Sequence, residues 1–377
     1  MRLLHTADWH LGRSLCGQSF HGEQEWLLTG PFFDAVRDIR PDAILVAGDV
    51  YDRAVPSADA VELLDDVLQR IVRGLGIPVV MIAGNHDDER RLAFGSGLLR
   101  DAGLFIADSA MGQAFAFADS HGPVTILAAG YGTPALLASL FGAEAGISDH
   151  DAGFAAVTAQ MRGLVPPGSR SVVVAHAFMQ GGLTSDSERM LQVGGSGAVS
   201  AAHLHGFHYT ALGHLHRRQI MAEGRIAYSG SPLAYSFAEA GSSKSMTLVE
   251  LDAAGAVTAQ DIALPPRRAL RVVRGTLAEV LAAAEGPGRE DWLQVVLTDR
   301  QYGAMASLRE RYPSVLDLRF ETAVGPIDTT TAATARIAHD PLETLNAFWN
   351  AIGAGALSPL ERDAAMRAIA AAQAQEA

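Results

Sequence analysis

The chain has 377 residues, of which 49% are hydrophobic and 19% charged, an ordinary globular composition for one large domain with one or two smaller additions. No apolar stretch approaches the ~20 residues of a membrane helix, the N-terminus lacks a signal-peptide pattern, and the single cysteine, Cys16, excludes a framework of internal disulfides, so we expect a cytoplasmic protein. The net charge of −13 argues mildly against binding nucleic acid by bulk electrostatics alone.

Short apolar runs alternate with helical patterns through the first two-thirds of the chain, which predicts α/β layers. A cluster of Gly, His or Asp follows each run, as in buried strands whose C-terminal ends open into functional loops. The runs are residues 3–5, 43–46, 79–83, 171–175 and 209–212. Apolar spacing predicts a helix over residues 32–39 that ends before Pro41. It predicts another over residues 61–71, with Ser57 or Asp59 as the N-cap.

The last third of the chain follows a different pattern. Hairpin-like segments at residues 225–228 and 245–251 precede Pro265-Pro266, a predicted linker. A small α+β unit comes next, in the order strand 269–273, helix 277–284, strand 292–297, helix 305–311 and strand 315–320. We therefore predict three parts: a large domain over residues 1–265, an α+β domain over 266–325, and a linker with a helical tail over 326–377.

The predicted helical tail carries apolar side chains on one face. Asp340 and Pro341 are the expected start of a helix on which Leu345 shares a face with Phe348, or with its neighbour Trp349. Exposing this aromatic pair would be wasteful in a monomer. The two side chains are therefore expected either to pack on the body of the protein or to bind a partner.

Five polar clusters close the apolar runs in chain order. They are Asp8-Trp9-His10, Gly48-Asp49-Val50-Tyr51-Asp52, Gly84-Asn85-His86-Asp87, His176 and Gly213-His214-Leu215-His216. Carboxylate, imidazole and amide oxygen suit Mn²⁺, Fe²⁺ or Zn²⁺, and the clusters hold enough ligands for two ions. Two ions ~3.5–4 Å apart serve to hold the attacking and leaving oxygens in phosphoryl transfer. The sequence thus predicts a two-metal phosphoesterase.

Other histidines have simpler explanations. His203, His205 and His208 form a second H-x-H pattern, but it precedes a strand instead of following it, so we expect surface or supporting roles. His5 lies inside the first predicted strand and is expected to be a packed polar residue.

The five motifs resemble those of the calcineurin-like metallophosphoesterase superfamily, and within it the chain is similar to the SbcD family, the nuclease subunits of bacterial SbcCD complexes. Residues 4–12, 46–52 and 230–239 carry the closer resemblance. The last stretch is the most discriminating, because small-molecule phosphodiesterases of the superfamily generally lack it. The resemblance implies an α/β fold: a four-layer β-sandwich flanked by helices, with a small α+β capping domain and a helical C-terminal tail.

The resemblance implies two divalent metal ions, with Mn²⁺ favoured. The first ion would be held by Asp8, His10, Asp49 and His216, and the second by Asp49, Asn85, His176 and His214. His86 would lie over the scissile phosphate and stabilise or protonate the leaving oxygen, with Asp87 orienting its ring.

Four further residues are candidate substrate contacts. Asp52 stands where some relatives carry a histidine, and an aspartate occurs there in the SbcD family. Arg90, Arg217 and Arg271 could follow a phosphate backbone, with a solvated surface as the equal alternative.

The leading hypothesis is a nuclease subunit of an ATP-regulated complex for DNA recombination and repair. The resemblance implies 3′→5′ exonuclease action on duplex DNA and endonuclease action on single strands and hairpins. It also implies a homodimer within a heterotetramer, and an SbcC-type coiled-coil ATPase bound through Leu345, Phe348 and Trp349. One alternative is a cytosolic phosphodiesterase for nucleotides or other small diesters. Another is a structural subunit with a dispensable nuclease, against which the complete ligand set argues.

Overall fold

The computed structural model describes residues 1–188, 197–321, 341–351 and 356–376. Its strands are β1 Arg2–Thr6, β2 Ser14–Leu15, β3 Gln18–Ser19, β4 Ala43–Ala47, β5 Val79–Ile82, β6 Leu104–Ile106, β7 Gln113–Asp119, β8 Gly122–Ala128, β9 Arg170–His176, β10 Phe178–Met179, β11 Ala198–Val199, β12 Tyr209–Gly213, β13 Gln219–Met221, β14 Ile226–Tyr228, β15 Ser245–Leu251, β16 Val257–Ala263, β17 Leu270–Gly275, β18 Trp292–Leu297 and β19 Val315–Phe320. Its α-helices are α1 His21–Leu27, α2 Phe33–Ile39, α3 Ala58–Leu68, α4 Glu89–Leu92, α5 Ser96–Leu99, α6 Pro134–Phe141, α7 His150–Gly163, α8 Leu277–Ala282, α9 Ala304–Arg311, α10 Pro341–Ala351 and α11 Pro359–Glu376.

The first large sheet has six strands in the order β16-β15-β1-β4-β5-β6. Strands β1, β4, β5 and β6 run parallel to one another, whereas β15 is antiparallel to both β1 and β16. Thr6 pairs with Val46, and Ala47 pairs with Ile82. This register brings the C-terminal ends of β1, β4 and β5, and the polar loops that follow them, to one edge of the sheet.

The second large sheet has six strands in the order β13-β14-β12-β9-β8-β7. Its central strands β8, β9, β12 and β14 are parallel, and the outer strands β7 and β13 are antiparallel to their neighbours. Gly213 pairs with His176, so the ends of β9 and β12 deliver their polar residues to the same place.

Apolar side chains fill the space between the two sheets and on both outer faces. Leu45, Val174 and Tyr209 belong to the buried cluster between the sheets. A second buried cluster joins the first sheet to α1, α2 and α3, and a third joins the second sheet to α6 and α7. The arrangement is the predicted four-layer sandwich, in which strands covered on both faces are apolar along their whole length.

The five apolar runs of the first two-thirds of the chain all form strands, each within one residue of its expected ends. Helix α3 begins after Ser57, whose hydroxyl accepts a hydrogen bond from the Ala60 N–H at 3.3 Å, so Ser57 and not Asp59 is the N-cap. The predicted helix at 32–39 is α2, and the chain enters it through a π-helical turn, Leu28–Phe32, that contains Pro31.

The chain divides into two compact units. The first contains Met1–Val272, Gly286–Gln294 and Tyr312–Asp317, and the second contains the described residues of Val273–Glu285, Val295–Arg311 and Leu318–Ala377. Strands β17, β18 and β19 form the predicted small sheet, and α8 begins with a capping box of Thr276 and Glu279. The division into domains at residues 265 and 325 stays a prediction.

The helical tail is described in two segments, α10 and α11. Leu345 is half-buried, and Trp349 lines a cavity of about 420 Å³ together with Tyr302 and Phe320. The side chain of Phe348, the predicted helix start at Asp340 and the predicted linker at 326–340 lie outside the described residues. Over the part of the chain that is described, no helix has the length and apolar character needed to cross a membrane.

Candidate metal centre

The seven side chains predicted as metal ligands come together where parallel strands of both sheets end. They follow or end five strands: Asp8 and His10 after β1, Asp49 after β4, Asn85 after β5, His176 at the end of β9, and His214 and His216 after β12. Ligand atoms of Asp8, His10 and His216 lie within 4.8 Å of one another, as do those of Asp8, Asp49 and His176. The structure therefore assembles a centre from residues more than 200 positions apart in the sequence.

The backbone at this centre adopts unusual conformations. Asp8, His10, Asp49 and His214 have φ angles of 55°, 45°, 49° and 106°, a region that residues other than glycine seldom occupy. Backbone hydrogen bonds hold two of them, because Asp8 N–H donates to the Gly48 carbonyl at 3.0 Å and His10 N–H donates to the Asp49 carbonyl at 2.9 Å. The loops after β1 and β4 thus run side by side and fix each other.

Gly48 shows why a glycine precedes the Asp49 cluster. Its φ is 88°, and a Cβ atom at this position would lie 2.5 Å from His176 Nδ1 and 2.9 Å from the Gly84 Cα. Only a residue without a side chain lets the loops after β4, β5 and β9 approach this closely.

Two buried carboxylates lie among the imidazoles. Asp8 accepts two hydrogen bonds from the His214 N–H, at 2.9 and 3.2 Å, and is fully buried. Asp49 Oδ1 accepts from the His86 N–H at 2.8 Å, while its Oδ2 lies 3.6 Å from His10 Nε2 and 3.5 Å from His176 Nε2. Asp49 therefore stands between the two groups of histidines.

The hydrogen-bond partners of His176 fix its tautomer. Its Nδ1 lies 2.9 Å from the Ala47 carbonyl oxygen, which can only accept, so Nδ1 carries the proton. The other ring nitrogen, Nε2, points into the centre, where the Asn85 Oδ1 lies 2.9 Å away. Asn85 Oδ1 also lies 3.2 Å from His214 Nδ1. A backbone carbonyl that orients an imidazole in this way is typical of metal-binding histidines.

The Nε2 atoms of His10 and His216 lie only 3.0 Å apart and are both buried. Both nitrogens face the same small space, which the carboxylate of Asp8 also borders. Converging imidazole nitrogens and carboxylate oxygens, with no thiolate, form a donor set suited to a divalent cation. The residues present therefore fit the predicted metal ions.

Burial and mutual charge shift the acidities of these groups in opposite directions. Burial raises the pKa of Asp8 well above its ordinary value. Burial also disfavours the charged forms of Asp49 and His176, but the attraction between the two side chains outweighs it. This attraction holds the pKa of Asp49 well below its ordinary value and raises the pKa of His176 to about 9. Burial lowers the pKa of His214 to about 3, which keeps this imidazole neutral and available as a ligand.

His86 and Asp87 differ in their surroundings. His86 Nδ1 lies 2.9 Å from the backbone carbonyl oxygen of Asp52, so that bond does not involve Nε2. Polar side-chain atoms of His86, His10 and Asp49 lie within 4.8 Å of one another. The Asp87 carboxylate accepts hydrogen bonds from the N–H groups of Val50, Tyr51 and Gly84, at 3.0, 2.8 and 2.8 Å.

The expectation that Asp87 orients the His86 ring does not agree with these contacts. Both carboxylate oxygens of Asp87 serve backbone N–H groups of the loops after β4 and β5, and the ring is oriented by the carbonyl of Asp52 instead. His86 and Asp87 are adjacent in the sequence, but their side chains point in different directions. Adjacency therefore did not predict the partner of the His86 ring.

The candidate substrate contacts are partly engaged within the protein. The Asp52 carboxylate forms an ion pair with Arg13 at 2.9 Å and lies 3.6 Å from His10 Nδ1. Arg271 pairs with Asp291 at 2.9 Å. Arg90, in α4, and Arg217, in the loop after β12, are exposed. Of the four, these two arginines are the most accessible to an anionic substrate.

The four histidines for which the sequence predicts simpler roles lie outside the centre, as expected. His205 is exposed, His203 pairs with Asp151 at 3.0 Å, and His208 accepts a hydrogen bond from the Ser171 N–H at 3.0 Å. His5 is buried and contacts the second sheet through its ring nitrogens.

Several residues that support the centre were not predicted from the sequence. Ser187, Glu188, Tyr235, Glu239 and Lys244 each contact His10, His216 or a residue bound to them. Glu239 belongs to the stretch at residues 230–239 that carries the family resemblance, which assigns it no role. Ser187 and Glu188 stand in a loop with no motif of their own.

Comparison with known proteins agrees with this geometry. The family model for the calcineurin-like phosphoesterases matches residues 1–217, and a model named SbcD_C, described as the type 5 capsule protein repressor C-terminal domain, matches residues 266–351. Among solved structures, a dimetal phosphatase from Danio rerio is 12% identical, with a TM-score of 0.40 over 70% of this chain and 98% of that one. Because residues 1–217 make up more than half of its 377 residues, the chain belongs to the calcineurin-like phosphoesterases.

Proposed function

We propose that this phosphoesterase is a DNA nuclease, the nuclease subunit of an SbcCD-type complex that processes DNA ends in recombination and repair. The observation that carries the proposal is the SbcD_C match at residues 266–351, in the part of the chain that follows the residues of the metal centre. The proposed activities are 3′→5′ exonuclease action on duplex DNA and endonuclease action on single strands and hairpins.

Two divalent cations, Mn²⁺ by preference, are proposed to occupy the centre. Asp8, His10 and His216 would hold one, and Asn85, His176 and His214 the other, with Asp49 shared. The position of the Asp49 carboxylate between His10 and His176 supports the shared role. When bound, such cations polarise a phosphodiester and lower the pKa of a coordinated water.

The chain's own residues are proposed to hold the ligand oxygens in place and to protonate the leaving oxygen. Asp8 and Asp49 are held by backbone N–H groups, so their oxygens are fixed before a cation arrives. His86 is proposed to donate a proton to the leaving oxygen from Nε2 of its imidazolium form, which leaves a neutral ring with its hydrogen on Nδ1, facing the Asp52 carbonyl. Asp87 would act by fixing the loops after β4 and β5, which carry Asp49 and His86.

Binding partners are proposed to supply the positive charge that the acidic chain lacks. Arg90 and Arg217 are the proposed contacts to DNA, while the ion pairs of Arg271 and Asp52 weaken their candidacy. An SbcC-type coiled-coil ATPase is proposed to bind the helical tail that contains Leu345, Phe348 and Trp349 and to add attraction to phosphate. The protein is further proposed to be a homodimer within the heterotetramer.

The alternative is a phosphodiesterase for nucleotides or other small diesters. The net charge of −13 and the internal pairing of Arg271 favour it, whereas the SbcD_C match weighs against it.

Digestion of end-labelled duplex and hairpin DNA, with and without the partner ATPase, tests the proposal. We expect Mn²⁺-dependent cleavage that a chelator abolishes, that fails in Asp49→Asn, and that persists in the matched control His205→Ala, whose imidazole is exposed outside the centre. Hydrolysis of small diesters with no cleavage of DNA under any of these conditions would overturn the DNA assignment and leave the alternative.

A further inference from the structure

A buried acidic side chain supports His216 through a serine. Glu239 is 1% exposed, and its Oε1 accepts a hydrogen bond from the Ser187 hydroxyl. The same hydroxyl oxygen lies 2.6 Å from His216 Nδ1. The other carboxylate oxygen of Glu239 pairs with the buried ammonium of Lys244. Ser187 thus links the carboxylate to the imidazole ring.

The charge on Glu239 decides the direction of these hydrogen bonds. Its Oε2 accepts a hydrogen bond from the buried ammonium of Lys244, a contact that favours the ionised carboxylate. An ionised carboxylate can only accept, so the Ser187 hydroxyl donates its proton to Glu239. A lone pair of the hydroxyl then faces His216, and Nδ1 of the ring must carry the hydrogen.

The backbone on either side of the His216 ring is fixed as well. The Glu188 carboxylate accepts from the His216 N–H at 2.8 Å, and the Lys244 ammonium donates to the His216 carbonyl at 2.9 Å. Only Nε2 of His216 remains directed at the centre, 3.0 Å from His10 Nε2. The backbone contacts therefore set the position of the ring, and Ser187 sets which nitrogen carries the hydrogen.

We propose that Ser187 and Glu239 are positioning residues, which hold His216 in the tautomer whose Nε2 is free to bind a divalent cation. The inference rests on the proposed metal-binding function. It assigns to a hydroxyl and a carboxylate the task that the Ala47 carbonyl performs for His176. Outer partners of this kind typically change metal affinity 10- to 100-fold.

The substitution Ser187→Ala tests the proposal in the full-length protein. In ¹⁵N-histidine spectra of the chelated protein, we expect wild-type His216 to carry its hydrogen on Nδ1 and the variant to lose that preference. Mn²⁺ titration should show two ions in the wild type, with one of them bound roughly 10- to 100-fold more weakly in the variant. Ser187→Thr, which restores a hydroxyl, should recover both properties.

Two further variants separate positioning from general damage. Ser229→Ala removes another buried hydroxyl, which bonds to the Gly230 carbonyl, and should leave the tautomer and both affinities unchanged. Glu239→Gln should reproduce the effect of Ser187→Ala, because the amide oxygen would turn to the Lys244 ammonium and the amide N–H would donate to the Ser187 hydroxyl.

Unchanged tautomer and Mn²⁺ affinity in Ser187→Ala would overturn the inference, as would equal weakening of both sites. A different result would contradict the proposed nuclease function. In that case the wild type would bind two Mn²⁺ ions and show the same dependence on Ser187, yet cleave no DNA.

Discussion

His86 occupies a position chemically distinct from the other histidines of the centre. His176 and His214 lie next to the Asn85 amide oxygen, whereas the nearest partner of the His86 ring is a backbone carbonyl. His86 still lies against the centre, because its ring meets that of His10 edge to face with 4.7 Å between the centroids. A group so placed can exchange a proton with a phosphate oxygen without being needed to hold a cation.

The substitution His86→Ala tests this division. We expect the variant to bind Mn²⁺ as the wild type does and to cleave phosphodiesters about 10²- to 10⁴-fold more slowly, the usual contribution of a positioned acid or base. Calorimetric Mn²⁺ titration and single-turnover cleavage would measure the two quantities. Loss of one of the two bound ions would show instead that His86 is a ligand.

The residues of the centre differ in how far the sequence reveals them. The seven proposed ligands were predictable because each stands in a short motif directly after an apolar strand. Ser187 was not, because it reaches His216 from a distant loop with no local pattern, and the resemblance at residues 230–239 assigns no role to Glu239. Asp87 was recognised as part of a motif, but its backbone partners depend on how the loops after β4 and β5 meet, which local sequence does not specify.

Strands β1 and β12 illustrate how the elements of the two sheets are joined. His5 of β1 extends between the sheets, with Nδ1 3.0 Å from the Tyr209 hydroxyl and Nε2 3.1 Å from the Leu212 carbonyl oxygen. It is a polar contact within an otherwise apolar layer. Because Asp8 and His214 directly follow these strands, the contact also helps to set the distance between the two halves of the centre.

The stability of the fold should depend on pH through His5. Burial lowers its pKa from 6.5 to about 3, so below about pH 6.5 the unfolded chain takes up a proton that the folded chain excludes. This histidine alone should lower the free energy of unfolding by about 2 kcal/mol between pH 7 and pH 5. Urea unfolding of His5→Gln should show a correspondingly smaller loss over that interval, and exposed His121→Gln should not. An identical pH dependence in wild type and His5→Gln would contradict the assignment.

Element positions were largely predictable, because strands covered on both faces are short, continuous apolar runs. The π-helical turn Leu28–Phe32 was not, since the periodicity of residues 32–39 predicts the helix but not its wider first turn at Pro31. The pairing of β1 with β15 was also hidden, because 238 residues separate Thr6 from Ser245 and the register depends on which strands the core brings together.

A concentrated apolar area lies on the surface of the phosphoesterase domain. Phe94 and Leu98, on and beside the short helices α4 and α5, are 85% and 86% exposed. Next to them is an apolar cavity of about 370 Å³ that Phe94 lines with Val61 and Leu68 of α3. Large apolar side chains this exposed and this close together are typical of a protein interface.

The proposed homodimer should depend on this area. We expect the double substitution Phe94→Glu and Leu98→Glu to convert a dimer into a monomer while the metal centre keeps its Mn²⁺ affinity. Sedimentation velocity over a range of concentrations would measure the change, with Ile220→Glu as a control at an exposed apolar residue elsewhere. A wild-type protein that stays monomeric at all concentrations, or a double variant that stays dimeric, would reject the assignment.

The four positive φ angles at Asp8, His10, Asp49 and His214 have a consequence for the evolution of the protein. Each such conformation costs of order 1–3 kcal/mol, which the surrounding fold must offset whether or not a cation is present. Replacement by glycine would relieve the strain but remove a donor atom. Stability and activity therefore compete at the same four positions, so variants selected for thermal stability alone would be expected to lose this centre first.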